Sequence, residues 1–85
     1  MLKILWSLQA NDDYDYWLKV NPKIAKRIDD LIQSIQLDPE KGIGNPKPLK
    51  HNLSGFWSRR INREHRLVYK IENGAIRIVM CRFHY

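Results

Sequence analysis

The sequence predicts a single α+β domain in which two N-terminal helices pack on an antiparallel β-sheet. Apolar residues recur at helical spacing between residues 8 and 37, whereas the second half alternates like strands and contains the turn pair Asn73-Gly74. A chain of 85 residues allows one small domain, 1–85, and no second one. The longest apolar run, residues 78–81, is far shorter than the roughly 20 apolar residues that span a membrane.

The first 40 residues predict one strand and two helices. Residues 2–6 alternate like a short strand, and Ser7 is suited to cap the helix that follows. Asn21-Pro22 begins the second helix, and Asp38-Pro39 ends it. The apolar stripes consist of Ala10, Tyr14, Trp17 and Leu18 in the first helix and Ile24, Ile28, Leu31, Ile32 and Ile35 in the second. The acidic residues of the first helix, Asp12, Asp13 and Asp15, are expected to face mostly solvent.

The second half predicts a loop followed by three strands. Residues 39–48 contain three prolines and two glycines, which is typical of a loop with a restricted backbone. An extended segment is expected over residues 49–53. Strands are expected over residues 56–61, 65–71 and 75–83, the last two forming a hairpin.

Charge is divided unevenly along the chain. Residues 1–40 contain 5 basic and 7 acidic side chains, whereas residues 41–85 contain 10 basic and 2 acidic ones. Arginines alternate with aromatic residues along the predicted strands. Guanidinium groups bind phosphate in a bidentate fork, and aromatic rings stack on unpaired bases, so the pattern favours a polyanion on the sheet. A net charge of +6 is also found on small domains whose charge serves only solubility.

Several classes of protein are excluded by what the sequence lacks. Cys81 is the only cysteine, so there is no internal disulfide and no multi-cysteine zinc site. Residues 1–6 have neither the apolar core nor the cleavage site of a signal peptide, and we expect a cytoplasmic protein without a membrane partner. The basic half offers only Glu64 and Glu72 as carboxylates, so no metal site or other cofactor is expected.

Three segments resemble a known family. Residues 49–61 (LKHNLSGFWSRRI), 64–69 (EHRLVY) and 81–85 (CRFHY) are similar to the YoeB toxins, which belong to the RelE superfamily of type II toxin–antitoxin systems. The resemblance implies the RelE-like, microbial-RNase-like fold. It implies a ribosome-dependent mRNA endonuclease that inhibits translation by cutting mRNA in the ribosomal A site. The implied partners are mRNA and the ribosome, a YefM-like antitoxin with an acidic C-terminal segment, and a second copy in a homodimer.

The resemblance also implies the residues of a metal-independent acid–base cleavage. Arg66 corresponds to the group that stabilises the transition state, His84 to the general acid, and Tyr85 to the residue that orients the reacting phosphate. The general base of the family is a glutamate in a Gly-x-Pro-x-Pro loop, and Lys47 stands at that position here. The residues implied to bind RNA are Lys50, His51, Arg59, Arg60 and Arg82.

Lys47 leaves the catalytic interpretation open. An ordinary lysine is protonated at pH 7 and is a poor base, so the residue is a base, a second phosphate clamp, or the mark of a weakened toxin. Two functions without catalysis also remain. One is an RNA- or ribosome-binding protein that an acidic antitoxin neutralises, and the other is an interaction protein whose basic face binds only the antitoxin.

The hairpin turn is predicted from the implied site. A two-residue turn at Asn73-Gly74 would place Arg66 and His84 on opposite faces of the sheet, because side chains alternate along a strand. A three-residue turn shifts the register by one and places Arg66 on the same face as Met80, Arg82 and His84. We therefore expect the three-residue turn, with Asn73 at negative φ and Gly74 at positive φ.

Overall fold

In the computed structural model, which describes residues 1–83, two helices pack on one face of a five-stranded sheet. The predicted fold class is confirmed. The sheet order is β1-β5-β4-β3-β2. The strands are β1 (Lys3–Trp6), β2 (Lys47–Pro48), β3 (Trp57–Arg60), β4 (Arg66–Glu72) and β5 (Ala75–Met80), and the helices are α1 (Leu8–Val20) and α2 (Pro22–Leu37).

The sheet is mixed rather than purely antiparallel. β1 runs parallel to β5, with Lys3 opposite Ala75 and Trp6 opposite Ile78. The other neighbouring strands are antiparallel, as expected. A parallel pair requires a long crossover between its strands, and the two helices together with β2–β4 lie between β1 and β5 along the chain. The expectation of a wholly antiparallel sheet is therefore wrong at this edge.

The junction of β1 and α1 is tied to the far end of the chain. Ser7 Oγ accepts the backbone N–H of Ala10 at 3.0 Å, which confirms the predicted N-cap. The same hydroxyl donates to the carbonyl of Val79 at 2.7 Å. Asn21 stands at the start of α2 as predicted, but its side chain makes no capping hydrogen bond. The first helix is thus held both by its own cap and by β5.

The core lies between the helices and the sheet. The α2 residues Ile28, Leu31 and Ile35 are completely buried in one cluster with Leu67 and Ile76 of the sheet. Burying an aliphatic side chain of this size contributes about 1.5–3 kcal/mol. These α2 positions belong to the predicted stripe, so the sequence pattern identified the packing face of this helix correctly.

The hairpin of β4 and β5 combines a two-residue turn with a bulge. Glu72 pairs with Ala75, and both turn residues have positive φ, 52° at Asn73 and 75° at Gly74. This is the geometry of a type I′ turn, so the predicted three-residue turn is wrong. Further along, Tyr69 pairs with Ile78 but Val68 pairs with Met80, which leaves residue 79 as an extra, bulged position. The bulge shifts the register by one and places Met80 on the face of residues 66 and 68, as predicted.

The segment after β2 is not extended. Residues 51–53 form a 3₁₀ turn, and His51 at its start has a φ of 59°. The backbone N–H of Ser54 donates to the carbonyl of His51 at 3.0 Å. The turn brings the chain back toward the sheet, because the Leu49 N–H reaches the carbonyl of Phe56 at 2.9 Å.

Candidate active site

A cleft with three cations lies on the face of the sheet opposite the helices. It has a volume of about 140 Å³. The strand register explains how it forms: Lys47 lies opposite Ser58, and Arg60 lies opposite Arg66. Paired residues in an antiparallel sheet project from the same face. We call the residues that line it, Asn45, Lys47, Ser58, Arg60 and Arg66, the cationic cleft.

Arg66 is oriented by the turn that precedes its own strand. Its Nη1 donates to the carbonyl of Asn62 at 2.8 Å and to that of His65 at 3.0 Å. Within residues 1–83, its Nε and Nη2 have no hydrogen-bond acceptor. A guanidinium fixed by one nitrogen can offer the others to a phosphate as a fork. The arginine is therefore oriented before any ligand arrives.

A glycine allows the loop before Lys47 to approach β3. The backbone N–H of Arg60 donates to the carbonyl of Gly44 at 2.6 Å. Gly44 has a φ of 84°, and a Cβ added there would lie 2.7 Å from Cδ2 of Leu31. A side chain at this position would thus push the loop away from the core. The close approach places Lys47 in the short strand β2, beside Ser58.

Arg59 lies on the opposite face of β3 and is completely buried. All five of its N–H groups have acceptors, which are Tyr69 Oη, Ser34 Oγ and the carbonyls of Asp38, Lys41 and Ile43. The structure contradicts the prediction that Arg59 binds RNA, because the guanidinium is neither accessible nor short of acceptors. It holds the loop over residues 38–43 against the core instead.

Arg82 does not reach the cationic cleft either. Its guanidinium carbon lies 3.6 Å from the ring centre of Tyr16 on α1. β5 ends at Met80, and the backbone of Cys81 bonds to side chains of α1 rather than to a strand. The alternation that would have placed Arg82 on the face of Arg66 therefore stops before it, and the RNA-binding prediction for Arg82 is not supported.

Lys50 and His51 lie beside the cationic cleft but do not line it. Both are exposed. They border a separate, mainly apolar depression of about 430 Å³ formed by residues 48–53. Their contact with RNA stays a prediction.

The predicted catalytic residues His84 and Tyr85 lie outside the described residues. The last described residue, Phe83, is bound to the strand that carries Arg66, since the Arg66 N–H donates to the Phe83 carbonyl at 2.8 Å. The roles of His84 and Tyr85 stay predictions, as do those of Arg60, Arg66 and Lys47.

Titratable groups and helices elsewhere add three findings. Burial, together with the nearby charge of Asp13, raises the pKa of the Cys81 thiol to about 12. In residues 1–83, no three His, Cys, Asp or Glu side chains gather in a way that could hold a metal ion. Over the same range, neither helix has the length and apolar character needed to cross a membrane.

Sequence analysis missed the residues that hold the segment after β5. Asp13 was expected to face solvent, but it is 4% exposed and accepts the backbone N–H of Cys81 at 3.0 Å. Trp17 donates from Nε1 to the carbonyl of the same residue at 2.8 Å. A signal existed: Asp13 falls between Ala10 and Trp17 at helical spacing, and so lies within the buried stripe of α1.

Comparison with known proteins identifies the family. A model of the YoeB-like toxins of bacterial type II toxin–antitoxin systems matches residues 6–85. The toxin YoeB of Escherichia coli (strain K12) is 50% identical over 84 residues, which are 99% of this chain and 100% of that protein. A YoeB dimer from Staphylococcus aureus is 46% identical with a TM-score of 0.92, covering 99% of this chain and 98% of that one.

A second solved structure shows a relative with its antitoxin. The YoeB–YefM complex from Staphylococcus aureus matches with a TM-score of 0.91 and 46% identity, and covers 100% of this chain and 99% of that one. The implied RelE-like fold is thereby confirmed. The family match, the full-length identity and the agreement of fold lead to one conclusion: this chain belongs to the YoeB-like toxins of bacterial type II toxin–antitoxin systems.

Proposed function

We propose that this toxin is a ribosome-dependent endonuclease that cleaves mRNA in the ribosomal A site. The observation that carries the proposal is the cationic cleft, in which Lys47, Arg60 and Arg66 converge from three strands around a space of about 140 Å³. Converging cations stabilise the charge that develops on a phosphate during cleavage. The ligand that the three cations suit best is an exposed phosphate of an RNA backbone.

The proposed reaction is an in-line transesterification. The 2′-hydroxyl of the nucleotide loses its proton to a base, and its oxygen forms a bond to the adjacent phosphorus. The bond from phosphorus to the 5′-oxygen breaks, and an acid supplies a proton to that oxygen. The products are a 2′,3′-cyclic phosphate and a 5′-hydroxyl.

The residues take distinct roles in this reaction. Arg66 binds the non-bridging oxygens through the nitrogens that the turn leaves available, and Arg60 holds the RNA backbone. His84, as an imidazolium, protonates the leaving oxygen because histidine exchanges protons near neutral pH. Tyr85 orients the phosphate. The geometry of the cleft supports the roles of Arg60 and Arg66, and the family pattern supports those of His84 and Tyr85.

For Lys47, we propose the role of a second phosphate clamp. Among residues 1–83, those that line the cationic cleft include no carboxylate, and an ammonium beside two guanidinium groups adds to the charge that attracts phosphate. Water then takes the proton of the 2′-hydroxyl. Cleavage is expected to be slower than in a relative with glutamate at this position.

The proposed macromolecular partners follow from the relatives. The Staphylococcus aureus relatives were solved as a complex with YefM and as a dimer, and we propose a YefM-like antitoxin and a homodimer for this chain. An acidic antitoxin segment fits the cationic half of the sequence, where 10 basic side chains outnumber 2 acidic ones.

The test is to add the protein to a translating extract and map the 5′ ends of the mRNA. Cuts in phase with codons are expected for the natural protein. Arg66→Gln is expected to abolish them, whereas the matched control Arg77→Gln, which removes an exposed cation paired with Glu72 outside the cleft, leaves them unchanged. Equal cutting by Arg66→Gln would overturn the proposal.

The second candidate function is a binding protein that does not cut RNA. It is favoured by Lys47 in place of the family's base. In the same experiment this protein would inhibit translation without new 5′ ends. If translation is not inhibited at all, the remaining function is that of a protein that binds only its antitoxin.

A further inference from the structure

The segment that follows β5 is held at its start by side chains of α1. The backbone N–H of Cys81 donates to Oδ2 of Asp13 at 3.0 Å, and the Cys81 carbonyl accepts from Nε1 of Trp17 at 2.8 Å. Both partners come from α1 and are buried. One residue thus has its backbone donor and its backbone acceptor bonded to two successive turns of a helix.

The other end of the segment is held by His65 in the turn before β4 and by Arg66, the first residue of β4. The Phe83 N–H donates to Nδ1 of His65 at 2.6 Å, and the Phe83 carbonyl accepts the N–H of Arg66 at 2.8 Å. Phe83 has a φ of 64°, a left-handed conformation that is uncommon outside glycine and persists where the surroundings impose it. The four contacts together hold the backbone of Cys81 and Phe83 in place.

Aromatic packing joins the two ends. The ring of His65 lies 4.8 Å from that of Trp17 and 5.7 Å from that of Phe83, measured between ring centres. The guanidinium of Arg82 stacks on Tyr16 beside Trp17. His65 is therefore in contact with both α1 and the segment that α1 holds.

Packing of the core alone does not require the hydrogen bonds that hold Cys81 and Phe83. A buried carboxylate is costly unless it is hydrogen-bonded, and an aliphatic residue at position 13 would suit a helix stripe that served the core alone. Residue 84 is bonded directly to the Phe83 carbonyl carbon, which Arg66 holds by its own backbone. Fixing Cys81 and Phe83 therefore fixes the starting point of the two residues that the proposed reaction uses.

We propose that Asp13, Trp17 and His65 are positioning residues: they hold the segment Cys81–Phe83 so that His84 and Tyr85 meet the phosphate bound by Arg66. The inference rests on the proposed nuclease function. A misplacement of about 1 Å in a reacting group costs on the order of 10²-fold in rate. Loosening the segment is thus expected to reduce kcat while leaving KM unchanged, because the cationic cleft itself stays intact.

The first test measures cleavage of ribosome-bound mRNA. Asp13→Leu removes the acceptor of the Cys81 N–H and is expected to lower kcat by about 10²-fold, whereas Asp13→Asn keeps an oxygen there and stays within about 3-fold of the natural protein. The matched control is Asp12→Leu on the exposed side of the same helix, with no expected change. Trp17→Phe keeps an aromatic ring at this position but removes the indole N–H that bonds to Cys81, so it serves if Asp13→Leu does not fold.

A double-mutant cycle separates positioning from a general loss of structure. If Asp13 acts through His84, Asp13→Leu has little further effect on kcat once His84→Gln is present, since effects of residues that act as a unit do not add. A full further loss of kcat in the His84→Gln background would overturn the proposal.

The second test does not depend on activity. Amide hydrogen exchange at Cys81 and Phe83 is expected to rise at least about 10-fold in Asp13→Leu, with no change at Ile76 near the start of β5. An equal rise at Ile76, or none at Cys81, would overturn the proposal. If the natural protein does not cut mRNA, the nuclease function fails, while the exchange pattern still decides whether α1 holds this segment.

Discussion

At the scale of single residues, the neighbours Arg59 and Arg60 show how one strand separates structure from chemistry. Arg59 is completely buried and donates to five acceptors, whereas Arg60 is exposed and lines the cationic cleft. Successive side chains of a strand point to opposite faces, so two identical adjacent residues have unrelated environments. The buried one supports the loop that leads to Lys47, and the exposed one is left for a ligand.

This contrast predicts opposite effects of the same substitution. Arg59→Met leaves buried acceptors without a donor, each at about 1–3 kcal/mol, and we expect it to lower the free energy of unfolding by more than about 4 kcal/mol. Arg60→Met is expected to change that free energy by less than about 0.5 kcal/mol while weakening RNA binding. Urea unfolding and filter binding measure the two effects. Similar stability losses in both variants would contradict the assignment.

Lys47 predicts a gain of activity. Lys47→Glu introduces a carboxylate at the position where the resemblance implies a general base, and a general base contributes about 10²–10⁴-fold to such a rate. We expect faster cleavage in single-turnover assays, together with weaker RNA binding because a clamp is lost. Slower cleavage would show that the lysine contributes more to the rate than a carboxylate at this position. Equal rates would show that position 47 does not take part in the reaction.

The buried thiol predicts a loss of stability in alkali. Burial raises the pKa of Cys81 from its ordinary value of 9.0 to about 12 in the folded protein. A raised pKa means that the folded state holds the proton more tightly, so the contribution is complete below pH 9 and is lost as the pH rises toward 12. Tyr14, with its pKa raised to about 12 by desolvation and its bond to Asp29, adds a loss in the same direction.

Unfolding in urea between pH 8 and 11 tests this prediction. The stability of the natural protein should decrease over that range, and Cys81→Ala should decrease less steeply, whatever its stability at pH 8. Parallel curves for the two proteins would show that the thiol does not carry the effect.

At the scale of elements, the hairpin of β4 and β5 combines a tight turn, which joins the strands, with a bulge, which sets their register. The turn at Asn73-Gly74 is the tight type I′ form that suits the twist of antiparallel strands. The bulge at residue 79 then shifts the register, so that the face carrying Arg66 is also the face of Met80. The carbonyl of the bulged residue accepts a hydrogen bond from the hydroxyl of Ser7 at 2.7 Å, so the N-cap of α1 stabilises the irregular position.

The turn predicts a measurable cost at one glycine. A Cβ at Gly74 would meet nothing within 4 Å, so Gly74→Ala is destabilised only by its φ of 75°. A left-handed conformation costs an L-residue about 1–2 kcal/mol, which for a domain of this size corresponds to a melting temperature lower by about 4–8 °C per kcal/mol. Asn73→Gly is the control and should be nearly neutral. An unchanged melting temperature for Gly74→Ala would contradict the type I′ geometry.

At the scale of the whole molecule, the fold separates a supporting layer from a working surface. The buried cluster runs from Ala10 to Cys81 and joins both helices to one face of the sheet. The cationic cleft lies on the other face, supplied by residues 45–66. The uneven distribution of charge along the sequence therefore becomes a separation of charge in space, which suits binding of an anionic RNA or antitoxin segment.

This separation predicts that activity can be removed without unfolding the domain. Deleting residues 84 and 85 should abolish mRNA cleavage, because the proposed acid is lost. The free energy of unfolding should change by less than about 1 kcal/mol, since Cys81 is the last member of the core cluster among residues 1–83. Circular dichroism during urea unfolding and mapping of mRNA 5′ ends measure the two properties. Cleavage at the natural rate, or a truncated protein that does not fold, would count against the assignment.

The sequence by itself determined the two helices, the three strands of the meander, the N-cap at Ser7 and the cationic second half. These features follow from local spacing and composition. The family motifs also directed attention to Arg66 and Lys47, which the structure brings to one cleft. Local patterns are sufficient here because a helix stripe or a strand alternation is repeated within a few residues.

Only the tertiary structure decided the parallel pairing of β1, the bulge at residue 79, the burial of Arg59 and the burial of Asp13. Each depends on a partner far along the chain: Asp13 bonds to a residue 68 positions away, and Arg59 to a carbonyl 21 positions away. A sequence pattern reports on which face a residue lies but not on what lies opposite that face. A polar group can be buried only where it finds hydrogen-bond partners. Those partners come together only once the chain has folded.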